Sequence, residues 1–344
     1  MAARRRTLRD IADALDLSVT PVSRGLAGKS DISERTKQLI RAEADRIGYV
    51  PNVQARSLVS GSMMTIGLVI TNPSNPFYAQ LISSIEFTAR AAGYSLVFGL
   101  SEESPQVESS TVDTLLRSGV DGAIIVPVQA GDDPWRRLRT ARIPAVLVNR
   151  DLPGSGWDLV GTDSAQGAYL ATRAALRQGA RSVVLLEEDL PISTIQQRID
   201  GFGRALAEAG ISARDSVITV PTRRAENVAL PWQADEGYRL AQEVLDERRV
   251  DAVVVGNDYF ALGLYKAIAE RGLRVPDDIA VVGFGDYPFA GYLTPPLTTV
   301  RLPAAEVGRT AVDLLLNRLK SAGSEPVHRL VPPTLIERAS SRPT

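Results

Sequence analysis

Side chains able to do covalent chemistry at neutral pH are scarce in this 344-residue chain, which has no cysteine and a single histidine, His328. Thiolate zinc sites, cysteine nucleophiles and disulfide scaffolds are thereby excluded, and histidine-centred triads or metal sites have almost nothing to build on. Phosphate-cradling loops fare no better. In Gly201-Phe202-Gly203 and Gly283-Phe284-Gly285 the third glycine of a dinucleotide fingerprint is replaced by Leu206 and Pro288, and no Walker-type string occurs. Neither a metal nor a cofactor is expected. What remains is recognition chemistry: guanidinium groups such as Arg24 and Arg198, with amides, hydroxyls and aromatic faces around them.

The elements that must hold these groups fall into two parts of opposite charge. Residues 1–62 carry 11 Lys/Arg against 7 Asp/Glu, a net +4, while residues 63–344 carry a net −5, so the overall −1 hides a segregated basic end. With 44% hydrophobic and 23% charged residues, the chain has the composition of a protein with real cores, and its length suggests two or three domains. Met1 to Arg6 begins like a secretory leader, but Arg9, Asp10, Asp13 and Asp16 interrupt any apolar stretch. No apolar run is long enough to span a bilayer. A cytoplasmic protein is the expectation.

Three short helices are legible at the basic end. Thr7-Leu8-Arg9-Asp10 is a capping box ahead of Ile11, Ala12 and Leu15. After Asp16-Leu17, Ser18 stands where it can cap a second helix from Val19 to about Ala27, with Val22 and Leu26 on one face and Gly25 as a weak spot. Ser33 caps a third helix with Ile40, Ala44 and Ile47 inward and Gly48 as its left-handed stop. Helix, tight turn, helix and a supporting helix is an arrangement that lays the second helix in the DNA major groove, although three helices can also form a bundle used only for packing.

From Thr65 onward, short Val/Ile/Leu runs alternate with amphipathic helices of about 12–16 residues. The runs are 65–70, 95–100, 122–127, 145–149, 182–186, 216–220, 251–255 and 279–284. Such runs predict parallel sheets buried on both faces. Two sets, before and after about residue 161, predict two similar lobes, with 298–301, 304–321 and 327–337 returning to the first lobe and then the second. Ligands settle at the carboxyl ends of such strands.

Both parts resemble the lac-repressor (LacI) family. The string from Thr7 to Leu58, with Val19-Thr20-Pro21-Val22-Ser23-Arg24 and Gly48-Tyr49-Val50-Pro51-Asn52, is similar to that family's DNA-binding headpiece. The body carries Asn75-Pro76-Phe77-Tyr78, Arg198-Ile199-Asp200-Gly201-Phe202, Asn257-Asp258 and Pro296-Leu297-Thr298-Thr299-Val300, which resemble its ligand-binding core. The resemblance implies an all-α helix-turn-helix headpiece, 1–51, a hinge helix and linker, 52–62, and a two-lobed α/β core similar to type I periplasmic binding proteins, 63–344. The first lobe would span about 63–161 and 293–325, the second about 162–292 and 326–340.

By this resemblance Val19, Thr20 and Arg24 would reach base edges, where Arg24 can bond guanine O6 and N7. Ser23, Thr36 and the backbone amides around Ser18 are candidates for phosphate contacts, which fix register without reading sequence, and Thr7 and Ser18 are counted with the DNA-binding residues. Pro21 departs from the family's Thr and removes one N–H near the helix start. Asn52, Ala55, Arg56 and Leu58 would form the hinge, with Leu58 levered between minor-groove base steps. The implied cleft residues are Phe77, Tyr78, Val126, Asn149, Thr194, Arg198, Trp232, Asn257 and Gly285. At Gly285 the family commonly has Asp; its loss beside Arg198 predicts a cleft hospitable to anions, such as a sugar acid or sugar phosphate. A ligand-controlled homodimeric repressor on a near-palindromic operator is implied, with a corepressor-dependent regulator or a small-molecule binder without DNA function as alternatives. No nucleophile–base pair supports an enzyme.

Overall fold

The computed structural model describes residues 6–49, 62–130, 134–177, 179–221, 234–321 and 325–341. Two compact units divide at Met63/Met64.

In the first unit, α1 (Leu8–Ala14), α2 (Val19–Leu26) and α3 (Glu34–Ile47) enclose a small core of Ile11, Ala12, Val22, Ile40 and Ala44. Thr7 caps α1 in both directions, its N–H donating to Asp10 Oδ2 at 2.6 Å and its Oγ1 accepting from Asp10 N. Ser33 Oγ accepts from Thr36 N at 3.2 Å, and Gly48 ends α3 at φ 67°. Ser18 occupies the cap position of α2 without a side-chain cap bond. The reason is local: Pro21, the third residue of α2, has no N–H to give it. The weak spot, Gly25, lies where a Cβ would come within 2.5 Å of Ile40 Cδ1, so it is where α2 meets α3.

The second unit holds two six-stranded sheets. The first contains β1 (Thr65–Ile70), β2 (Ser95–Leu100), β3 (Gly122–Ile125), β4 (Ala145–Val148), β5 (Asp158–Thr162) and β11 (His328–Val331), in the order β11-β5-β4-β3-β1-β2, all parallel. The second contains β6 (Val183–Glu188), β7 (Val217–Val220), β8 (Ala252–Val255), β9 (Ala280–Gly285), β10 (Thr298–Arg301) and β12 (Thr334–Ile336), in the order β12-β10-β9-β8-β6-β7. Only β12 runs antiparallel to its neighbour.

Period-two alternation sorts each strand's side chains between two cores. Ile66, Leu68 and Ile70 of β1 face α4 (Pro76–Ala91) and α11 (Ala304–Lys320), while Val69 faces α5 (Pro105–Ser118) and α6 (Arg136–Thr140). In the second lobe α7 (Ser164–Leu176) and α8 (Ser193–Glu208) cover one face, and α9 (Ala234–Glu247) and α10 (Asp258–Glu270) the other. At about 1.5–3 kcal/mol per buried Leu or Ile, these layers hold the strand ends in place.

The late segments correct the expected lobe boundaries. β10 pairs with β9 and so belongs to the second lobe, although 293–325 was assigned to the first. β11 pairs with β5 in the first lobe, although 326–340 was assigned to the second. Hydrophobic runs of this kind fit either sheet, and only pairing chooses between them. β5 itself lay across the expected division at residue 161. It opens on a charge, Asp158, which Arg318 of α11 engages with two bonds of 2.6 and 2.7 Å, and which accepts from Val327 N at 2.7 Å. Its Gly161 lets Asn149 approach, a Cβ there lying 3.0 Å from Asn149 Cα. Among the described residues the chain therefore passes between the lobes three times, after β5, between β10 and α11, and between β11 and β12. Among the described residues no helix is long and apolar enough to cross a membrane.

Candidate functional site

On the helical unit, the residues expected to read DNA share an exposed surface. Ser18, Val19, Thr20, Ser23 and Arg24 are all exposed, whereas Val22 and Gly25 of the same helix are buried. Thr7 is exposed but committed to its capping box. Thr36 is half-buried, with its hydroxyl 2.7 Å from Ser33 Oγ. Arg24 Nε donates to Asp31 Oδ2 at 2.8 Å, and that hydrogen bond and charge hold the Asp31 carboxyl below its ordinary range. The pairing uses the Nε edge of the guanidinium and leaves its two terminal nitrogens for an acceptor such as a guanine edge. The hinge residues Asn52, Ala55, Arg56 and Leu58 lie outside the described residues.

In the core, strand ends and helix starts from both lobes enclose a cleft. From the first lobe come Asn75, Phe77, Tyr78, Asn149, Arg150 and Thr162; from the second, Ser164, Glu188, Ile192, Thr194, Arg198, Gly256, Asn257, Phe284 and Tyr287; Leu302 lies on a crossing. Asn75 and Asn257 are N-caps, of α4 and α10, so helix starts aim their amides at this space. Asn149 sits at φ 60° just past β4, its Oδ1 accepting from Thr162 N at 2.9 Å. α8 carries Thr194 and Arg198 and lies very close to α7, a Cβ on Gly201 falling 2.0 Å from the Ala165 carbonyl oxygen.

Both arginines of the cleft are already bound. Arg198 donates from Nε and Nη2 to the two carboxylate oxygens of Glu187, at 2.6 and 2.7 Å, and its guanidinium lies 5.2 Å from the Phe284 ring centroid. Arg150 donates to both oxygens of Glu103 at 2.6 and 2.7 Å, and to the Pro127 carbonyl. Burial opposes the charge on Arg198, yet Glu187 above all, with Glu188, more than reverses this and raises it above its ordinary value. The same holds for Arg150, where Tyr78, Glu103 and Glu188 outweigh desolvation. Gly256 is what admits Glu187, since a Cβ there would lie 2.4 Å from its carboxylate oxygens.

Tyr287 closes one side. Its hydroxyl donates across the cleft to Asn75 Oδ1 at 2.9 Å, and burial raises the phenol well above its usual range. Beneath it Asp258 accepts from Tyr287 N at 2.9 Å and from Thr299 Oγ1 at 2.7 Å. Even so, burial pushes the Asp258 carboxyl up to about 6.

Comparison with known proteins gives both units the same affiliation. Residues 7–52 match the family described as bacterial regulatory proteins, lacI family, and residues 172–341 match a periplasmic binding protein-like domain. The chain is 32% identical over 337 residues to the HTH-type transcriptional repressor PurR of Erwinia tasmaniensis, covering 97% of this chain and 96% of that one. It is 29% identical over 338 residues to the ribose operon repressor of Escherichia coli, covering 97% and 99%. The chain belongs to the LacI family of DNA-binding transcriptional repressors. Among solved structures, this LacI-family chain matches a lac repressor dimer bound to operator and the anti-inducer ONPF with TM-score 0.86 at 26% identity, over 98% of this chain and 99% of that one. It also matches a LacI family regulator from Enterococcus faecium with bound ribose, TM-score 0.70 at 27% identity, over 81% and 99%.

Of the expected cleft residues, Phe77, Tyr78, Asn149, Thr194, Arg198 and Asn257 do line the cavity. Val126 does not; it is fully buried in the core between β1 and α4. Gly285 does not line it either, because the Tyr287 ring stands over it, 2.7 Å from where a Cβ would be. Trp232 lies outside the described residues. Beside Arg198, Glu187 supplies the carboxylate that Gly285 lacks, and Glu103 does the same for Arg150, so among the described residues the cation expected to be free in the cleft is paired. Sequence reasoning passed over Glu187, Glu188 and Arg150, although each stands at the carboxyl end of a buried parallel strand, where ligands settle. A charge ending an otherwise apolar run was the signal available.

Proposed function

We propose that this LacI-family protein is a homodimeric repressor whose hold on a near-palindromic operator is set by a small, neutral, hydrogen-bonding molecule of monosaccharide size in the interlobe cleft. It binds that molecule without transforming it and works on DNA in the cytoplasm. The observation that carries the reading is the internal pairing of the cleft's cations, Arg198 with Glu187 and Arg150 with Glu103. Among the described residues of the cleft both guanidinium groups are committed to carboxylates, so an anionic occupant would have to displace Glu187 or Glu103 from its partner, which is costly in a buried site. A neutral polyol finds donors and acceptors on Asn149, Thr194 and Asn257, and faces of Phe77 and Phe284 for its C–H surface. The ribose in the Enterococcus faecium regulator is of this class.

On the DNA side, Val19, Thr20 and Arg24 would read base edges while Ser18, Ser23 and neighbouring amides hold phosphates, with Asn52, Ala55, Arg56 and Leu58 as the minor-groove hinge. Ser18 is suited to phosphate because Pro21 leaves its hydroxyl without a capping bond. The lobes supply the coupling: α4 begins at the cleft with Asn75, Phe77 and Tyr78 and packs along α11. Exposed Phe87 on α4 and Phe98 on β2 offer apolar surface to a second copy of the first lobe. A coupling of about 1–3 kcal/mol would change operator affinity roughly 5–150-fold. Footprinting on the chain's own upstream region, titrated with neutral sugars, sugar acids and sugar phosphates, tests this. Release by a neutral monosaccharide is expected. Strengthened protection marks a corepressor, and a response only to acids or phosphates sinks the reading.

A further inference from the structure

Gly285 and Tyr287 form one device. Gly285 sits at φ 139°, a conformation open to glycine, and a Cβ there would fall 2.7, 2.9 and 3.1 Å from three atoms of the Tyr287 ring. The ring is held from its other sides by Tyr259, centroids 5.5 Å apart, and Phe289, 6.1 Å. Its backbone N–H is fixed to Asp258. The hydroxyl so placed accepts a long bond from Asn257 Nδ2 of its own lobe, at 3.5 Å, and donates across the cleft to Asn75 Oδ1, the cap oxygen that also accepts from Phe77 N at 2.9 Å. A second, separate link between the lobes runs from Ser193 N to Gln129 Oε1 at 3.0 Å.

We propose that Tyr287 is a specificity-determining wall of the cleft: its ring takes the space that Gly285 leaves, and its hydroxyl clasps the second lobe to Asn75 of the first. The occupant is thereby limited to a small neutral molecule that hydrogen-bonds beside the phenol. A longer one, such as a disaccharide, would have to displace the ring and break the clasp. This rests on the cleft being the effector site, but the clasp is measurable without any ligand.

The chain's lack of cysteine allows two labels to be placed alone, at the exposed helix sites Ser110→Cys on the first lobe and Ala207→Cys on the second. Interlobe distances are then measured on the full-length, ligand-free protein and on its Tyr287→Phe form, which keeps the ring and removes the hydroxyl. Loss of one hydrogen bond between lobes should lower the closed-to-open ratio by about two- to tenfold, seen as a shift towards longer distances. Identical distributions overturn the clasp. In parallel, thermal shifts against a pentose, a hexose and a disaccharide are compared for the wild type and Tyr287→Val. The variant should bind the disaccharide at least about tenfold more tightly than the wild type does; no gain overturns the wall. A wild type whose operator binding ignores the whole panel would instead count against the effector reading, leaving the distance result to decide the clasp.

Discussion

Replacing Glu187 by Gln keeps the shape of the side chain and deletes the charge that balances Arg198. Glu187 is fully buried and Arg198 only 12% exposed, so water cannot take over the lost role. Leaving one member of a buried pair uncompensated costs about 3–5 kcal/mol. Stacking on Phe284 and attraction to Glu188 remain, so the lower end, about 3 kcal/mol, is expected. Spread over the unfolding entropy of the unit Met64–Thr344, this lowers its melting temperature by about 5 °C. A guanidinium cannot discharge in the accessible range, so the deficit should be the same at pH 5 and pH 8. The variant should also acquire what the wild type lacks, an anion site. Sulfate or a sugar acid at about 100 times its Kd should return about 2.7 kcal/mol, nearly the whole loss, and leave the wild type unmoved. Scanning calorimetry of both proteins with and without these anions reads every quantity. A loss under about 1 kcal/mol, or equal stabilisation of both proteins by the anion, would refute the idea that the pair neutralises the cleft.

Other consequences can be checked as directly. Gly201→Ala puts a methyl 2.0 Å from the Ala165 carbonyl oxygen, so α7 and α8 must part; chemical denaturation should show a loss of about 1–3 kcal/mol or more. Asp258 has its folded pKa raised from 3.8 to about 6 by burial, so its contribution is most favourable below pH 4 and is lost as pH rises through 6. The stability of the wild type relative to Asp258→Asn should accordingly fall by about 3 kcal/mol between pH 3.5 and 7 in denaturant titrations. Arg24→Ala should flatten one position of the operator preference by about 10- to 100-fold in binding selections from random DNA. Asp31→Asn should blur that same position, since it frees the guanidinium that Asp31 orients, whereas a uniform rise in affinity for all sequences would mark Asp31 as a mere repulsive charge.

The amino-acid sequence alone determined the helical head and the alternation of strand and helix, because each rests on neighbours a few residues apart. Caps such as Thr7 with Asp10 and Ser33 with Thr36, and the stop at Gly48, are complete within one helical turn. Buried strands such as Ile66–Ile70 announce themselves by composition. Tertiary structure decided what lies across space. β10 and β11 changed lobes from their expected places, because equally apolar edges compete for a strand and only the assembled sheets discriminate. Asp158 hid β5 because its charge is answered by Arg318, 160 residues away. The pairing inside the cleft was out of reach for the same reason: Arg198 looked like a free cation until β6 brought Glu187 against it, and Gly285 looked like a missing carboxylate until Tyr287 folded over it. Spacing along a chain shows which groups can act, but electrostatic balance depends on distances that only packing sets.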